Sequence, residues 1–244
     1  MDHETRSLVG TVIAITGASS GIGRATAREL VSLGAKVAIT ARRGDRLREL
    51  EDELGAENVV SVVGDIALAE TNNELVDAAV TRFGHLDSFV ATAGIGMYGG
   101  ILDNSDDELS DMIDANFTGT VWGVRAAVPK MVDAGGGDIV IIASVAGIRG
   151  GGNEAVYAGT KAAQIVFAGA LDREVREKGI RVTSIAPAAV KTEFAIGKGR
   201  TEGDEWLDDV MMPEDVAAAV ASTLQQPRRL RTILWAMWSA AEPS

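Results

Sequence analysis

The chain has 244 residues, 46% of them hydrophobic and 5% aromatic, with 28 glycines, no cysteine, two histidines and a formal net charge of −12. This length suits a single domain with a sizeable core, and the lack of cysteine excludes disulfides, thiolate metal sites and cysteine nucleophiles. The acidic balance argues against nucleic acid and anionic membranes as partners, and His3 and His85 alone cannot supply a histidine triad or a multi-histidine metal site. Met1 to Ser7 is polar and lacks a signal-peptide layout, and no apolar run is long enough to span a bilayer. A cytoplasmic location is expected.

In chain order, Val12 to Thr16 reads as a central strand, followed by Gly17-Ala18-Ser19-Ser20-Gly21-Ile22-Gly23 and a helical pattern from Arg24 to Leu33. Gly34 stops the helix, and Lys36 to Thr40 reads as a second strand. This is a βαβ unit with a glycine-rich first turn. Such a turn lets the backbone approach a pyrophosphate, whose charge the helix N-terminus stabilises. The spacing is G-x-x-x-G-x-G, not the commoner G-x-G-x-x-G, and an ordinary glycine-rich turn is the alternative. An acid after the second strand would hold a free ribose 2′-hydroxyl, but Thr40-Ala41-Arg42-Arg43 stands there. Arginine pairs bidentately with a phosphate, so NADP(H) is expected over NAD(H), with Arg42 as the first contact and Ser19 as the second. Arg43 and Arg46 could equally be solvated charges at a helix start.

Asp45 to Leu54 reads as an amphipathic helix and Val59 to Val63 as a third strand. Asp65, beside Ile66, could bond the adenine amine or cap the helix expected from about Glu70 to Arg82. A fourth strand, Leu86 to Val90, runs into Ala91-Thr92-Ala93-Gly94-Ile95-Gly96, small residues that would let the backbone pass close to the cofactor riboses, or a plain loop. Asp106 to Met131 is one long helical pattern containing Asn116, either a satisfied core amide or the anchor of a proton-carrying water.

The apolar run Ile139 to Ala143 reads as a buried strand that ends at Ser144, and a flexible stretch follows from Gly147 to Gly152. A helix from about Glu154 to Lys178 places Tyr157 and Lys161 at i and i+4, on one face. A nearby ammonium favours the phenolate and lowers a phenol pKa that is ordinarily near 10; the same pair is also common on ordinary helices. The hydroxyl of Ser144 could hold a carbonyl oxygen beside the phenol. Small residues on this helix suggest another backbone packed on it, and Ile180 to Ile185 reads as a sixth strand. Glu193 to Met212 contains Phe194, Trp206, Met211 and Met212, which could close over a substrate or simply pack. Pro213 starts the last clear helix, Arg231 to Ala236 reads as an edge strand, and the apolar tail Met237 to Ala241 suggests contact with another subunit.

From about Leu8 onward the chain resembles a classical short-chain dehydrogenase/reductase. The matching motifs are Thr16 through Gly23, Asp65, Ala93-Gly94, Asn116, Ser144, Tyr157-Ala158-Gly159-Thr160-Lys161 and Pro187 through Thr192, in family order and spacing. The resemblance implies a single α/β domain with a Rossmann-like, doubly wound parallel sheet of seven strands, helices on both faces and a substrate lid at about 193–212. It implies a tetrad of Asn116, Ser144, Tyr157 and Lys161. Tyr157 would be the general acid/base; Lys161 would lower its pKa and bond the nicotinamide ribose. Ser144 would hold the substrate oxygen, and Asn116 would carry a water linking Lys161 to solvent. Val190 and Thr192 would fix the carboxamide and pyrophosphate, with Pro187 beside them, and no metal is needed. Two positions depart from the family: Ala91-Thr92 replaces an Asn-Asn pair, which bears on stability, and Pro187-Ala188 replaces Pro-Gly at the edge of the nicotinamide pocket.

The expected activity is therefore NADP(H)-dependent interconversion of a secondary alcohol and a ketone or aldehyde. Ala41-Arg42-Arg43 and Lys191-Thr192-Glu193-Phe194 look most like the β-hydroxy acid dehydrogenase/carbonyl reductase group. A 3-oxoacyl-[acyl-carrier-protein] reductase is the enzymatic alternative, and a non-catalytic NADP(H) sensor or scaffold is the alternative of another class. A homotetramer or homodimer is implied.

Overall fold

The structure is a computed structural model, and it describes residues 5–241; His3 lies outside them. Seven strands form one parallel sheet in the order β3-β2-β1-β4-β5-β6-β7. They are β1 Val12–Thr16, β2 Lys36–Ala41, β3 Val59–Val63, β4 Ser88–Ala91, β5 Gly137–Ile142, β6 Ile180–Pro187 and β7 Leu234–Met237. The helices are α1 Gly21–Ser32, α2 Gly44–Leu54, α3 Ala69–Phe83, α4 Asp106–Ile113, α5 Gly119–Asp133, α6 Ala155–Val175 and α7 Pro213–Leu224. Among the described residues, no helix is long and apolar enough to cross a membrane.

Both faces of the sheet are covered, which is why its inner strands β1, β4, β5 and β6 are buried along their whole length rather than alternating between buried and exposed. Successive side chains still point to opposite faces. Ile13 and Ile15 of β1 pack with Leu30, Leu47, Leu50 and Val220, beneath α1, α2 and α7. Val12 and Ala14 pack on the other side with Leu75, Val124, Ala127 and Leu171, beneath α3, α5 and α6. The arrangement is the doubly wound sheet that the motif order implies.

Three boundaries differ from the sequence reading in ways that matter. Helix α1 begins at Gly21, inside the glycine-rich turn, so its first N–H groups face the cleft rather than starting at Arg24. The long helical pattern around Asn116 is broken by one π-helical turn, Asp114–Thr118, between α4 and α5. Such turns interrupt the regular ladder and often mark functional sites. The edge strand β7 begins at Leu234, three residues later than read.

Strand order reverses between β1, which pairs with β2 on one side, and β4, which pairs with β1 on the other. Crevices beyond the carboxyl ends of strands at such a reversal are where open α/β sheets bind ligands. Here that crevice lies between Gly17 and Ala93. A Cβ on Gly17, whose φ is +72°, would fall 2.7 Å from the Ala93 Cα. Only glycine keeps the two loops that close.

Candidate active site

A cleft of about 1210 Å³ opens at this reversal. It is lined by the turn residues Gly17, Ser19, Ser20, Gly21, Ile22 and Gly23, by Arg42 and Arg43 after β2, and by Asp65 and Ile66 after β3. Ala93 and Gly94, Ser144, Tyr157 and Lys161, and Pro187, Val190 and Thr192 complete the wall. Asn116 lies behind the wall, fully buried.

The floor of the glycine-rich turn is built for close approach. A Cβ on Gly23 would sit 2.4 Å from the Gly17 carbonyl oxygen. Ser20, the residue before α1, makes no side-chain capping bond, which leaves the first turn of the helix facing the cleft as a ready anion site. Thr16 Oγ1 accepts the backbone N–H groups of both Thr92 and Ala93 at 3.1 Å. These bonds fix the loop after β4 despite its Ala91-Thr92 sequence, although the Thr92 hydroxyl itself is buried without a partner among the described residues.

The two arginines after β2 differ. Arg43 donates to Ser19 Oγ at 3.0 Å and Ser20 Oγ at 2.7 Å, and forms an ion pair with Glu193 at 2.9 Å. Arg46 reaches the same carboxylate at 2.7 Å. Neither is the merely solvated charge that the sequence allowed, and Glu193, at the start of the lid, bridges to them across the cleft. Arg42 is exposed, lines the cleft, and has no carboxylate partner among the described residues. Asp65 accepts the Ala67 N–H at 3.0 Å and so closes the turn ahead of α3, whose capping position is Leu68.

Tyr157 projects from α6 into the cleft, buried between the rings of Tyr98 and Phe194, whose centres lie 6.0 and 5.6 Å away. Burial raises its pKa well above the ordinary phenol value, and Tyr98 adds to the rise; a hydrogen bond with Ser144 and the charge of Arg200 pull it back only in part, and Glu154 opposes them. The i,i+4 spacing led us to expect a lowered pKa from Lys161. Burial outweighs that expectation here, because a phenolate loses its hydration in this ring-lined wall.

The Lys161 Nζ lies 5.8 Å from the centre of the Tyr157 ring. It donates to the Ile142 carbonyl at 3.0 Å and to Gln164 Oε1 at 2.9 Å. Desolvation lowers its pKa to about 7. Ser144 lies two residues past β5, in extended conformation at the start of a 3-10 turn, its hydroxyl accepting the Ala146 N–H and donating to the Pro187 carbonyl at 3.3 Å. Asn116 is satisfied by protein groups: its Oδ1 accepts the Ile95 N–H at 2.7 Å, and its Nδ2 donates to the Ile95 carbonyl and to Thr160 Oγ1.

The lid resolves into two kinds of residue. Phe194 lies against Tyr157, and Trp206 borders the cleft. Met211 is instead buried in the main core and Met212 is half exposed outside the cleft, so these two pack rather than cover it. Arg200 is the residue that the sequence did not single out. Its guanidinium lies 5.6 Å from the Phe194 ring centre and 5.5 Å from that of Trp206, and it donates to the Val190 carbonyl at 3.1 Å. The tail, read as a subunit contact, carries Trp238 to the cleft, where the Arg149 guanidinium sits 5.9 Å from its ring centre.

A glycine-floored crevice at a strand-order reversal, continuous with a buried Ser-Tyr-Lys cluster, defines a dinucleotide-dependent oxidoreductase of the doubly wound class. The family model for short chain dehydrogenases matches residues 11–203, and the chain belongs to the short-chain dehydrogenase family. An uncharacterized oxidoreductase of Staphylococcus aureus (strain MRSA252) is 34% identical over 223 residues, covering 91% of this chain and 94% of the relative. Among solved structures, a serine dehydrogenase in its closed form with NADP+ is 30% identical, with a TM-score of 0.87 and coverage of 96% and 97%. An alcohol dehydrogenase from the archaeon Thermococcus sibiricus, complexed with 5-hydroxy-NADP, is 28% identical, with a TM-score of 0.86 and coverage of 96% and 98%.

Proposed function

We propose that the protein is an NADP(H)-dependent oxidoreductase that interconverts a secondary alcohol and its carbonyl, of the β-hydroxy acid dehydrogenase/carbonyl reductase type. The observation that carries this reading is the single cleft shared by the glycine-rich turn, Arg42 and the buried Tyr157 with Ser144 and Lys161. The cofactor, when bound, supplies or accepts the hydride. Gly17 to Gly23 and the start of α1 would receive its pyrophosphate, Arg42 the 2′-phosphate, and Val190 and Thr192 would fix the carboxamide and pyrophosphate.

The chain's own part is position and protons. Ser144 and Tyr157 hold the substrate oxygen. A phenol kept protonated by burial is the form that carbonyl reduction requires, since Tyr157 then gives its proton to the oxygen as the carbonyl carbon is reduced. Lys161 faces the resulting phenolate with its ammonium. An excess of reduced cofactor and a panel of carbonyls, followed at the absorbance of the reduced nicotinamide, tests this; binding with no turnover of any carbonyl favours a sensor instead.

Two predictions refine the reading. Arg42→Ala should raise the KM for NADP(H) by about 10- to 100-fold, the worth of a charge-assisted hydrogen bond, and that for NAD(H) by less than about twofold. Equal effects on both cofactors would remove Arg42 from the phosphate site. The acid-substrate part rests on Arg200, which has no carboxylate partner among the described residues and is held over two rings and by a carbonyl. Such a pre-set guanidinium suits a substrate carboxylate. Arg200→Leu should raise the KM for hydroxy and oxo acids by about tenfold or more while sparing neutral alcohols and ketones; a uniform loss on both would refute the assignment.

The open face of α6 supports the subunit pairing expected from its small residues. A Cβ on Gly159 or Gly169 would meet nothing within 4 Å, and Val166 between them is 72% exposed.

A further inference from the structure

Gln164 stands three residues after Lys161 on α6, fully buried and outside every motif that marks the family resemblance. Both ends of its amide are bonded. Oε1 accepts from Lys161 Nζ at 2.9 Å, and Nε2 donates to the Asn116 carbonyl at 2.8 Å and to Thr120 Oγ1 at 2.8 Å. The orientation is fixed by chemistry, because the flipped amide would set two N–H donors against an ammonium and an oxygen against a carbonyl. Thr120 in turn donates its hydroxyl to the same Asn116 carbonyl at 2.7 Å.

The family resemblance gives Asn116 a water that links Lys161 to solvent. In this chain a side chain also reaches from Lys161 to the Asn116 carbonyl. We propose that Gln164 is a positioning residue, which ties Lys161 directly to the Asn116 carbonyl and holds the ammonium in register with Tyr157. The inference rests on the hydride-transfer reading for its purpose, but the tie itself is a property of the folded chain.

The consequences follow from the bond inventory. An ammonium has three N–H donors. Ile142 and Gln164 take two of them, leaving one for the cleft that Lys161 lines. Behind Lys161 the groups are neutral: Asn116 and Thr120 from the helical segment after α4, and Thr160 and Gln164 on α6. In front are Tyr157 on its own helix, then Tyr98, Arg200 and Glu154 around the phenol, with Asp111 of α4 at the cleft wall. With no carboxylate set against it among the described residues, the buried ammonium depends on carbonyl acceptors, of which Gln164 provides one. Removing that acceptor makes the charge harder to keep.

The test compares Gln164→Leu with Gln164→Glu in the full chain. Leucine removes the acceptor; the Lys161 Nζ resonance, followed by NMR in 15N-lysine-labelled protein without cofactor, should then titrate about one pH unit or more lower. Glutamate keeps an acceptor and adds negative charge, so the same resonance should titrate higher. In carbonyl reduction the alkaline limb of the kcat profile should move the same way in each variant. Gln164→Leu should lose about tenfold in kcat with little change in carbonyl KM, and Gln164→Glu should recover part of that loss. An unshifted Lys161 titration in Gln164→Leu, in protein that melts like the wild type, overturns the proposal. So do equal losses in both variants that track lost thermal stability. Because the NMR titration needs no turnover, a failed hydride-transfer reading would show in the activity assays and leave this measurement standing.

Discussion

Tyr157→Phe should lower kcat for carbonyl reduction by about 10²- to 10⁴-fold, the usual worth of a positioned general acid. The affinity for reduced cofactor, read by fluorescence titration, should stay within about twofold, since the phenol hydroxyl is not needed by the glycine-rich turn or Arg42. The ring that remains keeps its place between Tyr98 and Phe194. Losing a buried hydroxyl that hydrogen-bonds Ser144 costs about 0.5–1.5 kcal/mol of stability, which a thermal melt separates from a catalytic effect. Retention of wild-type turnover by the phenylalanine variant would remove Tyr157 from the proton-transfer role. The same reasoning sets a pH dependence. A phenol pushed above its ordinary value stays protonated across the neutral range, which serves reduction. Alcohol oxidation needs the phenolate, so its rate should climb with pH where reduction does not.

Sequence patterning carried the sheet and the nucleotide loop because both are written in local terms. The apolar runs at Val12 and Lys36, the glycines between them and the arginines after β2 each act through their own neighbourhood, and the structure assembles them in one cleft. Other features are products of packing between distant segments. The rise in the Tyr157 pKa depends on Tyr98 and Phe194 closing over it from two separate loops, so an i,i+4 spacing could not give its direction. The use of Gln164 depends on the π-helical turn before α5 presenting the Asn116 carbonyl to α6; in the sequence it is one polar residue in a helix of small ones. Arg200 stood among the many charges of the lid, and its place over the rings of Phe194 and Trp206 distinguishes it. One signal was present and unused: a glutamine at i+3 from the candidate lysine, on the same helix face, asks for a partner.

Gly147 shows the cost of reading a glycine-rich run as mere flexibility. Its place in the run from Gly147 to Gly152 suggested a mobile loop, yet its Cα faces the backbone of α6. A Cβ there would fall 2.5 Å from the Lys161 carbonyl carbon and 2.6 Å from the Ala162 nitrogen. Backbone atoms cannot swing aside as a side-chain tip can, so Gly147→Ala must push the short 3-10 turn Val145–Gly147 and α6 apart. Overpacking of this kind costs about 1–3 kcal/mol, or a fall of roughly 2–12 °C in Tm for a chain of this size. The effect on catalysis should be larger than the effect on folding. The contact is at Lys161 itself, and Tyr157 is one helical turn away on the same rigid element, while Ser144 belongs to the other side of the contact. A shift of about 1 Å between them should cost about 10²-fold in kcat. Gly152→Ala is the matched control, since a Cβ there meets nothing within 4 Å; it should leave both kcat and Tm near wild type. If the two alanine variants behave alike, the close approach of the 3-10 turn to α6 does not set the Ser144–Tyr157 geometry, and the alignment of the proton donor must come from the cofactor and substrate rather than from the folded chain.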